Sequence, residues 1–96
     1  MAAEPLRVAC IGMGWWSDVL ADAMKRSNQF EIAACYTRSE EKRKAFAEKY
    51  GCRAATSYDE ILNNRSIAAV INTTPNNAHR ETTCAAAQAG KHVFLD

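Results

Sequence analysis

The stretch from Leu6 to Ser17, which reads Leu-Arg-Val-Ala-Cys-Ile-Gly-Met-Gly-Trp-Trp-Ser, decides the fold. Its first half, Leu6 to Ile11, is a short and almost continuous apolar run, which is typical of a strand buried on both faces of a parallel sheet. Its second half has the form G-x-G-x-x-S, and the apolar residues that follow recur at helical spacing, at Val19, Leu20, Ala23 and Met24. The stretch therefore predicts a strand, a tight glycine turn and a helix from Trp16 to Ser27.

The rest of the chain alternates strands with helices in the same way. Apolar runs predict three more strands, at 30–36, 67–72 and 92–95. Amphipathic segments predict a helix at 40–50, with Ser39 as its cap and Gly51 at its end, and another at 76–89. A capping box of Ser57 and Glu60 predicts a further, short helix between them. Short connections between alternating elements imply an α/β fold with a doubly wound parallel sheet, a Rossmann-like arrangement whose four strands, numbered along the chain, stand in the order 3-2-1-4. A ligand would lie at the carboxyl ends of the strands, between strands 1 and 4.

Composition limits the class of protein. With 96 residues, 48% of them hydrophobic, and a net charge of +1, the chain fits one globular domain and carries no basic field for nucleic acid. It contains no apolar run long enough to span a bilayer and no leader pattern, so we expect a cytoplasmic protein without membrane contact. The four cysteines form no C-x-x-C pair, and we expect them to be reduced fillers of the core without a metal.

The glycine turn predicts a nucleotide site. Gly12 would permit the tight turn, and Gly14 would let the backbone approach a pyrophosphate that rests on the helix N–H groups and the positive end of the helix dipole. The strand before the turn and the helix after it favour a bound dinucleotide along Gly12, Met13, Gly14, Trp15 and Trp16. The alternative is a glycine-rich turn that binds no ligand.

The end of the second predicted strand indicates which dinucleotide the site would bind. It reads Tyr36-Thr37-Arg38-Ser39 and lacks the acid that would accept hydrogen bonds from the adenosine ribose of NAD. A guanidinium between two hydroxyls suits a 2′-phosphate, so Thr37, Arg38 and Ser39 favour NADP(H) over NAD(H). The alternatives are that Arg38 is a solvated residue and that Ser39 only caps the next helix.

A polar cluster follows the third predicted strand, where the chain reads Asn72-Thr73-Thr74-Pro75-Asn76-Asn77. Thr73 and Thr74 are candidate cofactor contacts, and Pro75 keeps Thr74 extended. Asn76 can cap the following helix or reach a ribose hydroxyl. His79, in the first turn of that helix, faces the crevice in one interpretation and is packed or solvated in the other.

Three segments together resemble a known family. Residues 11–17, the T-P-N-x-x-H pattern at 74–79 and the A-G-K-H-V pattern at 89–93 look like the N-terminal half of the glucose-fructose oxidoreductase and inositol dehydrogenase (Gfo/Idh/MocA) family. The resemblance implies a Rossmann domain of an NAD(P)-dependent oxidoreductase that acts on sugars, cyclitols or related alcohols and carbonyls. It also implies which residues border each part of the cofactor: the pyrophosphate at Gly12, Gly14, Trp15 and Trp16, the adenosine at Thr37, Arg38 and Ser39, and the nicotinamide at Thr74, Pro75, Asn76 and His79.

The same resemblance implies what this stretch of sequence lacks. The family continues from A-G-K-H-V into a Glu-Lys-Pro motif, whose lysine is assigned to proton transfer, and here Asp96 stands in place of that glutamate. Lys91 precedes the last strand and belongs at the opposite end of the sheet. We therefore expect residues 1–96 to be an incomplete nucleotide domain with no catalytic residue of its own. The substrate site and the contacts of a homo-oligomer would lie in a second domain. The alternative hypothesis is a non-catalytic nucleotide-binding regulatory module.

Overall fold

The computed structural model describes residues 5–12, 15–27, 29–74 and 76–95, and for residues 15–18, 76–79 and 95 it describes the backbone alone. The described elements alternate along the chain in the expected way. In chain order they are β1 Leu6–Ile11, α1 Trp15–Ser27, β2 Phe30–Tyr36, α2 Glu40–Tyr50, β3 Arg53–Ala54, α3 Tyr58–Leu62, β4 Ala69–Asn72, α4 Asn76–Gln88 and β5 His92–Leu95.

The strands form one parallel sheet in the order β3-β2-β1-β4-β5, which confirms the predicted α/β class. The predicted strand order is wrong in one respect. The 67–72 stretch pairs with β1, with Val8 opposite Ala69, and the neighbour of β2 on its outer side is a strand that we did not predict. That strand, β3, has only two residues and therefore gives no apolar run. The order of strands reverses between β1 and β4, not between β1 and the 92–95 strand.

Helices cover both faces of this sheet. On one face, Ala21 and Met24 of α1 and Phe46 and Tyr50 of α2 join a buried cluster with side chains of β1, β2 and β4. On the other face, Ile61 of α3 and Ala86 of α4 belong to a second buried cluster. Consecutive residues of β1 therefore alternate between two apolar layers, which explains why its sequence is almost continuously apolar.

Capping side chains fix where the helices begin. The Ser39 hydroxyl accepts the Lys42 N–H at 3.2 Å, and the Ser57 hydroxyl accepts the Glu60 N–H at 3.2 Å. The second half of the predicted capping box is different, because the Glu60 carboxylate pairs with Arg53 at 2.6 and 2.9 Å. Glu60 thus joins α3 to β3 as well as lying in the first turn of its own helix.

The cysteines occupy different environments. All four are free thiols; Cys10 and Cys35 are buried, Cys52 is half-buried and Cys84 is exposed on α4. The prediction that all four fill the core is therefore wrong for Cys84. No helix in the described part of the chain has the length and apolar character needed to cross a bilayer.

Candidate functional site

The carboxyl ends of the strands bring the predicted site residues to one edge of the sheet. Ile11 lies opposite Tyr36 on one side and opposite Asn72 on the other. The segments that begin at Gly12, Thr37 and Thr73 therefore leave the sheet side by side. The crevice of a doubly wound sheet lies at this edge, at the reversal between β1 and β4.

Gly12 is fixed by the backbone around it. Its φ of +80° is in the left-handed region, and a Cβ at this position would lie 2.7 Å from the Thr74 nitrogen and 2.8 Å from the Thr73 carbonyl group. Its N–H donates to the Tyr36 carbonyl at 3.0 Å. A glycine is required here because the loop after β4 passes directly over the turn.

Thr73 fastens that loop to the glycine turn. Its N–H donates to the Ile11 carbonyl at 3.0 Å, and its hydroxyl lies 2.7 Å from the Gly12 carbonyl oxygen and 3.1 Å from that of Ile11. The hydroxyl predicted to contact a cofactor is thus engaged with the chain itself. Thr73 positions the turn in which a ligand would lie.

Asn72 organises the crevice wall, although the sequence did not mark it as a site residue. Its side chain is fully buried at 0% exposure. The amide nitrogen donates to the hydroxyls of Thr82 at 2.7 Å and Thr83 at 3.1 Å on α4. The amide oxygen accepts from the N–H of Thr74 at 3.1 Å and from its hydroxyl at 2.6 Å. The available signal was a polar residue that ends an apolar strand, followed by two adjacent threonines, Thr82 and Thr83, in the next helix.

Tyr58 extends this polar network to the next helix. Its hydroxyl donates to the Thr82 carbonyl at 2.7 Å, and burial raises its pKa to about 12. The phenol therefore stays protonated and remains a donor at neutral pH. The loop after β4 and the helices α3 and α4 are held as one unit.

The end of β2 carries more positive charge than the sequence prediction assigned to it. Arg38 is exposed, directly before Ser39, the cap of α2. Arg43, which was not predicted, donates from Nη1 to the Thr37 carbonyl at 2.9 Å, and its guanidinium lies 5.4 Å from the centre of the Tyr36 ring. Its signal was a basic residue one helical turn after the cap.

The remaining predicted site residues are described in part or not at all. Met13, Gly14 and Pro75 lie outside the described residues. The others are in the first turns of helices that begin at this edge, and their side chains lie outside the description: Trp15 and Trp16 in α1, and Asn76 and His79 in α4. Their predicted contacts with a cofactor stay predictions.

Lys91 lies at the opposite end of the sheet, as the sequence indicated. It is buried just before β5, and its ammonium donates to the carbonyls of Ile67 at 2.7 Å and Asn64 at 2.9 Å. Burial lowers its pKa below the ordinary value. This lysine stabilises the loop from Asn64 to Ile67 that precedes β4, and it lies far from the crevice.

A doubly wound parallel sheet with a glycine turn at its strand reversal defines a nucleotide-binding fold of the Rossmann type. Residues 6–96 match the model of the oxidoreductase family with an NAD-binding Rossmann fold, GFO_IDH_MocA. The chain belongs to this family, as its sequence resemblance indicated.

Relatives with assigned names include reductases and dehydrogenases. The chain is 35% identical to a dTDP-3,4-didehydro-2,6-dideoxy-alpha-D-glucose 3-reductase of Streptomyces violaceoruber, with 97% of this chain and 28% of that protein covered. It is 30% identical to the scyllo-inositol 2-dehydrogenase (NADP(+)) IolU of Bacillus subtilis, with 95% and 28% covered.

Solved structures show the same fold. A biliverdin reductase from Synechocystis sp. PCC 6803, in complex with biliverdin and NADP+, superposes with a TM-score of 0.88 at 31% identity, over 95% of this chain and 29% of that one. The chain spans between 24% and 29% of the length of the first curated relatives that it matches.

Proposed function

We propose that this chain is the NADP(H)-binding portion of an oxidoreductase. The whole protein would transfer a hydride between the nicotinamide and a sugar, a cyclitol or a related alcohol or carbonyl compound. One observation carries the proposal: the glycine turn is locked between β1, β2 and β4 at the strand reversal, and the positively charged end of β2 lies directly beside it. Family membership supports the class of reaction.

The glycine turn supports the pyrophosphate part of the proposal. Gly12 and the start of α1 at Trp15 are separated by two residues, so the free N–H groups and the positive dipole end of α1 lie next to the turn. The hydrogen bonds of Thr73 fix the first part of this turn before any ligand arrives. Such an arrangement would bind a pyrophosphate without first ordering the backbone at Gly12.

The end of β2 supports the choice of NADP(H). Two guanidinium groups, of Arg38 and Arg43, belong to this end of the sheet, and Arg43 is already held against Thr37. The first acid of α2, Glu40, is paired with Lys44 at 2.8 Å. A 2′-phosphate here would form charge-assisted hydrogen bonds with a guanidinium, each contributing about 1.5 to 3 kcal/mol.

The cofactor would supply the hydride chemistry, and this chain would supply position and charge. Thr74, Pro75, Asn76 and His79 would border the nicotinamide half, on the wall that Asn72 holds in place. The substrate site and any contacts between copies would lie in the part of the protein that the relatives have beyond this length. A non-catalytic nucleotide-binding module is not favoured, because the relatives with assigned names include reductases and dehydrogenases.

Titration of the protein with NADPH and with NADH tests the proposal. Binding is followed by quenching of tryptophan fluorescence and by energy transfer to the reduced nicotinamide. We expect tighter binding of NADPH. The Arg38→Ala variant should weaken NADPH by roughly 10- to 100-fold, the equivalent of one or two charge-assisted hydrogen bonds, and change NADH little.

Arg26→Ala is the matched control, because Arg26 is an exposed arginine in the last turn of α1, away from the carboxyl edge. It should leave both affinities unchanged. A lack of response to either nucleotide would refute dinucleotide binding. Equal losses for NADPH and NADH in Arg38→Ala, or tighter binding of NADH by the unaltered protein, would refute the cofactor preference alone.

A further inference from the structure

Asn72 uses the whole hydrogen-bonding capacity of its side chain within the protein. A primary amide has two N–H donors and one carbonyl oxygen with two lone pairs. The Asn72 amide nitrogen donates to the hydroxyls of Thr82 and Thr83 on α4. Its oxygen accepts from both the N–H and the hydroxyl of Thr74. The side chain is completely buried, and it is held between α4 and the loop after β4.

The backbone of Thr74 fixes which way this amide points. A backbone N–H can only donate, so the Asn72 atom that lies 3.1 Å from the Thr74 nitrogen must be the carbonyl oxygen. The reversed amide would bring two donors together and leave them unsatisfied in a buried place, which is strongly unfavourable. The Thr74 hydroxyl lies 2.6 Å from the same carbonyl oxygen, and because that oxygen can only accept, the hydroxyl must donate to it.

The Thr74 hydroxyl is left with acceptor capacity alone. Its one proton is directed at Asn72, whereas its oxygen has two lone pairs. The Thr82 hydroxyl lies 3.5 Å from this oxygen, and Thr74 can only accept in that longer contact too. One lone pair remains, and Thr74 is half-buried at the edge of the sheet where the crevice opens. A ligand group that forms a hydrogen bond with this hydroxyl must therefore supply the proton.

The order of the strands determines which part of a dinucleotide would lie beside Thr74, so the inference rests on the proposed function. In a doubly wound sheet the pyrophosphate lies on the turn after β1, and the adenosine ribose lies at the end of β2. The other half of the cofactor then extends to the opposite side of β1, where β4 ends. The loop after β4 adjoins the glycine turn, because a Cβ at Gly12 would lie 2.7 Å from the Thr74 nitrogen. Thr74 is thus on the nicotinamide side of the crevice.

We propose that Asn72 is a positioning residue, which makes the Thr74 hydroxyl an acceptor for the carboxamide amino group of the nicotinamide. The carboxamide has two N–H donors, whereas the oxygens of a pyrophosphate are acceptors and find no proton at Thr74. Asn72 has no exposed surface and acts through Thr74, without touching the cofactor itself. Its hydrogen bonds are complete within the protein, so the acceptor is oriented before a ligand arrives.

NMR tests the fixed amide in the absence of any ligand. The two side-chain amide protons of Asn72 should exchange with solvent at least ten times more slowly than those of Asn63, because both are hydrogen-bonded in a buried place. Asn63, at the end of α3, is the matched control because it is exposed. Equal exchange rates for the two asparagines would overturn the inference.

Calorimetric titration with three ligands tests the contact with the cofactor. NADPH carries the carboxamide, its reduced 3-acetylpyridine analogue has a methyl group in place of the amino group, and adenosine 2′,5′-bisphosphate has no nicotinamide. The unaltered protein should bind NADPH about 3- to 10-fold more tightly than the analogue, which is the effect of one hydrogen bond between neutral groups. Equal affinities for NADPH and the analogue, with normal binding of the bisphosphate, would refute this inference alone. A lack of binding of all three ligands would refute the proposed function and this inference with it.

Two variants should abolish the preference for NADPH over the analogue. Thr74→Val removes the acceptor. Asn72→Leu frees the Thr74 hydroxyl to rotate and to donate to the carbonyl oxygen that both ligands share. In each variant the preference should fall below about twofold, whereas Thr74→Ser, which keeps the hydroxyl, should retain it. The affinity for adenosine 2′,5′-bisphosphate should stay unchanged in all three variants, because this ligand does not reach Thr74.

Thr83→Val is the matched control within the same network. It removes one of the two hydroxyls that accept from the Asn72 nitrogen and leaves both bonds between the Asn72 oxygen and Thr74. The preference for NADPH should therefore persist. Its loss in Thr83→Val, or equal losses of bisphosphate and NADPH affinity in Thr74→Val, would show a general structural role and overturn the inference. Should Asn72→Leu fail to fold, Thr74→Val and Thr83→Val still decide, since both leave the buried amide unchanged.

Discussion

Gly12 lies where the first turn of the chain and the loop after β4 cross. Two separate requirements meet at this residue: a φ of +80°, which side chains with a Cβ rarely adopt, and contact with the backbone of Thr73 and Thr74 on the side where a Cβ would project. The contact to Thr73 brings the carboxyl ends of β1 and β4 within hydrogen-bonding distance. Because Gly12 has no side chain, the loop after β4 can pack directly against the glycine turn at the crevice.

Gly12→Ala should lower the free energy of unfolding by about 3 to 4 kcal/mol, because the strained φ and the displaced loop add together. Gly51→Ala and Gly90→Ala are matched controls, since both glycines have a positive φ and nothing within 4 Å of a built Cβ. Each should lose only about 1 to 2 kcal/mol, the contribution of backbone strain. Urea denaturation measures all three, and equal losses would show that the crossing loop yields easily.

At the scale of elements, the shortest strand is held to the following helix by the ion pair of Arg53 with Glu60, which we call the clasp. β3 consists of Arg53–Ala54 and forms the edge of the sheet. Arg53 reaches Glu60 on α3 with two hydrogen bonds, and the Thr56 hydroxyl lies 3.2 Å from the same carboxylate. The ion pair with Arg53 holds the pKa of Glu60 down at about 2. The clasp therefore joins a two-residue strand to the helix that follows it.

Glu60→Gln should reduce stability in a pH-dependent way. The folded-state pKa of Glu60 lies below its ordinary value of 4.5, so its contribution is fully present above about pH 5 and is lost as the pH falls toward 2. Chemical denaturation at several pH values should show a deficit of the variant that shrinks through this window. Glu48→Gln, at an exposed position on α2, is the control. A deficit that is equal at pH 7 and pH 2.5 would contradict the clasp.

At the scale of the whole molecule, stability is concentrated in the middle of the sheet. β1 has a strand on each side and helices on both faces, and its residues Val8 and Ala9 are completely buried. β3 has one neighbour and two residues. Opening β1 requires the two apolar layers to separate, whereas β3 can detach alone.

Native-state hydrogen exchange should reflect this difference. The amides of β1 that bond within the sheet should exchange at rates set by global unfolding. The Ala55 amide, which donates to the Cys35 carbonyl at 2.9 Å at the edge, should exchange at least ten times faster. Measurement by NMR at two pH values separates the protection that the structure gives each amide from the intrinsic rate of chemical exchange. Equal protection of Ala55 and the β1 amides would indicate that the edge unfolds only with the whole domain.

Much of the fold and part of the site followed from local patterns. Neighbouring residues were enough to predict the strand at 6–11, the helix cap at Ser39 and the turn at Gly12. The roles of Arg43 and Asn72 could not be predicted in this way, because basic residues are common on charged helices and asparagines are common at strand ends, whatever they contact. Their roles depend on partners six to eleven residues away, Thr37 for one and Thr82 and Thr83 for the other.

The sequence by itself determined the alternation of strands and helices, the glycine turn and the family, because hydrophobic period, capping and turn chemistry act over a few residues. Only the tertiary structure decided that β4 lies beside β1 and that β3 closes the other edge. It also packed Cys52 against the buried cluster that contains Cys35. These arrangements depend on contacts between segments far apart in the chain, which the pairing of strands and the packing of two apolar layers bring together.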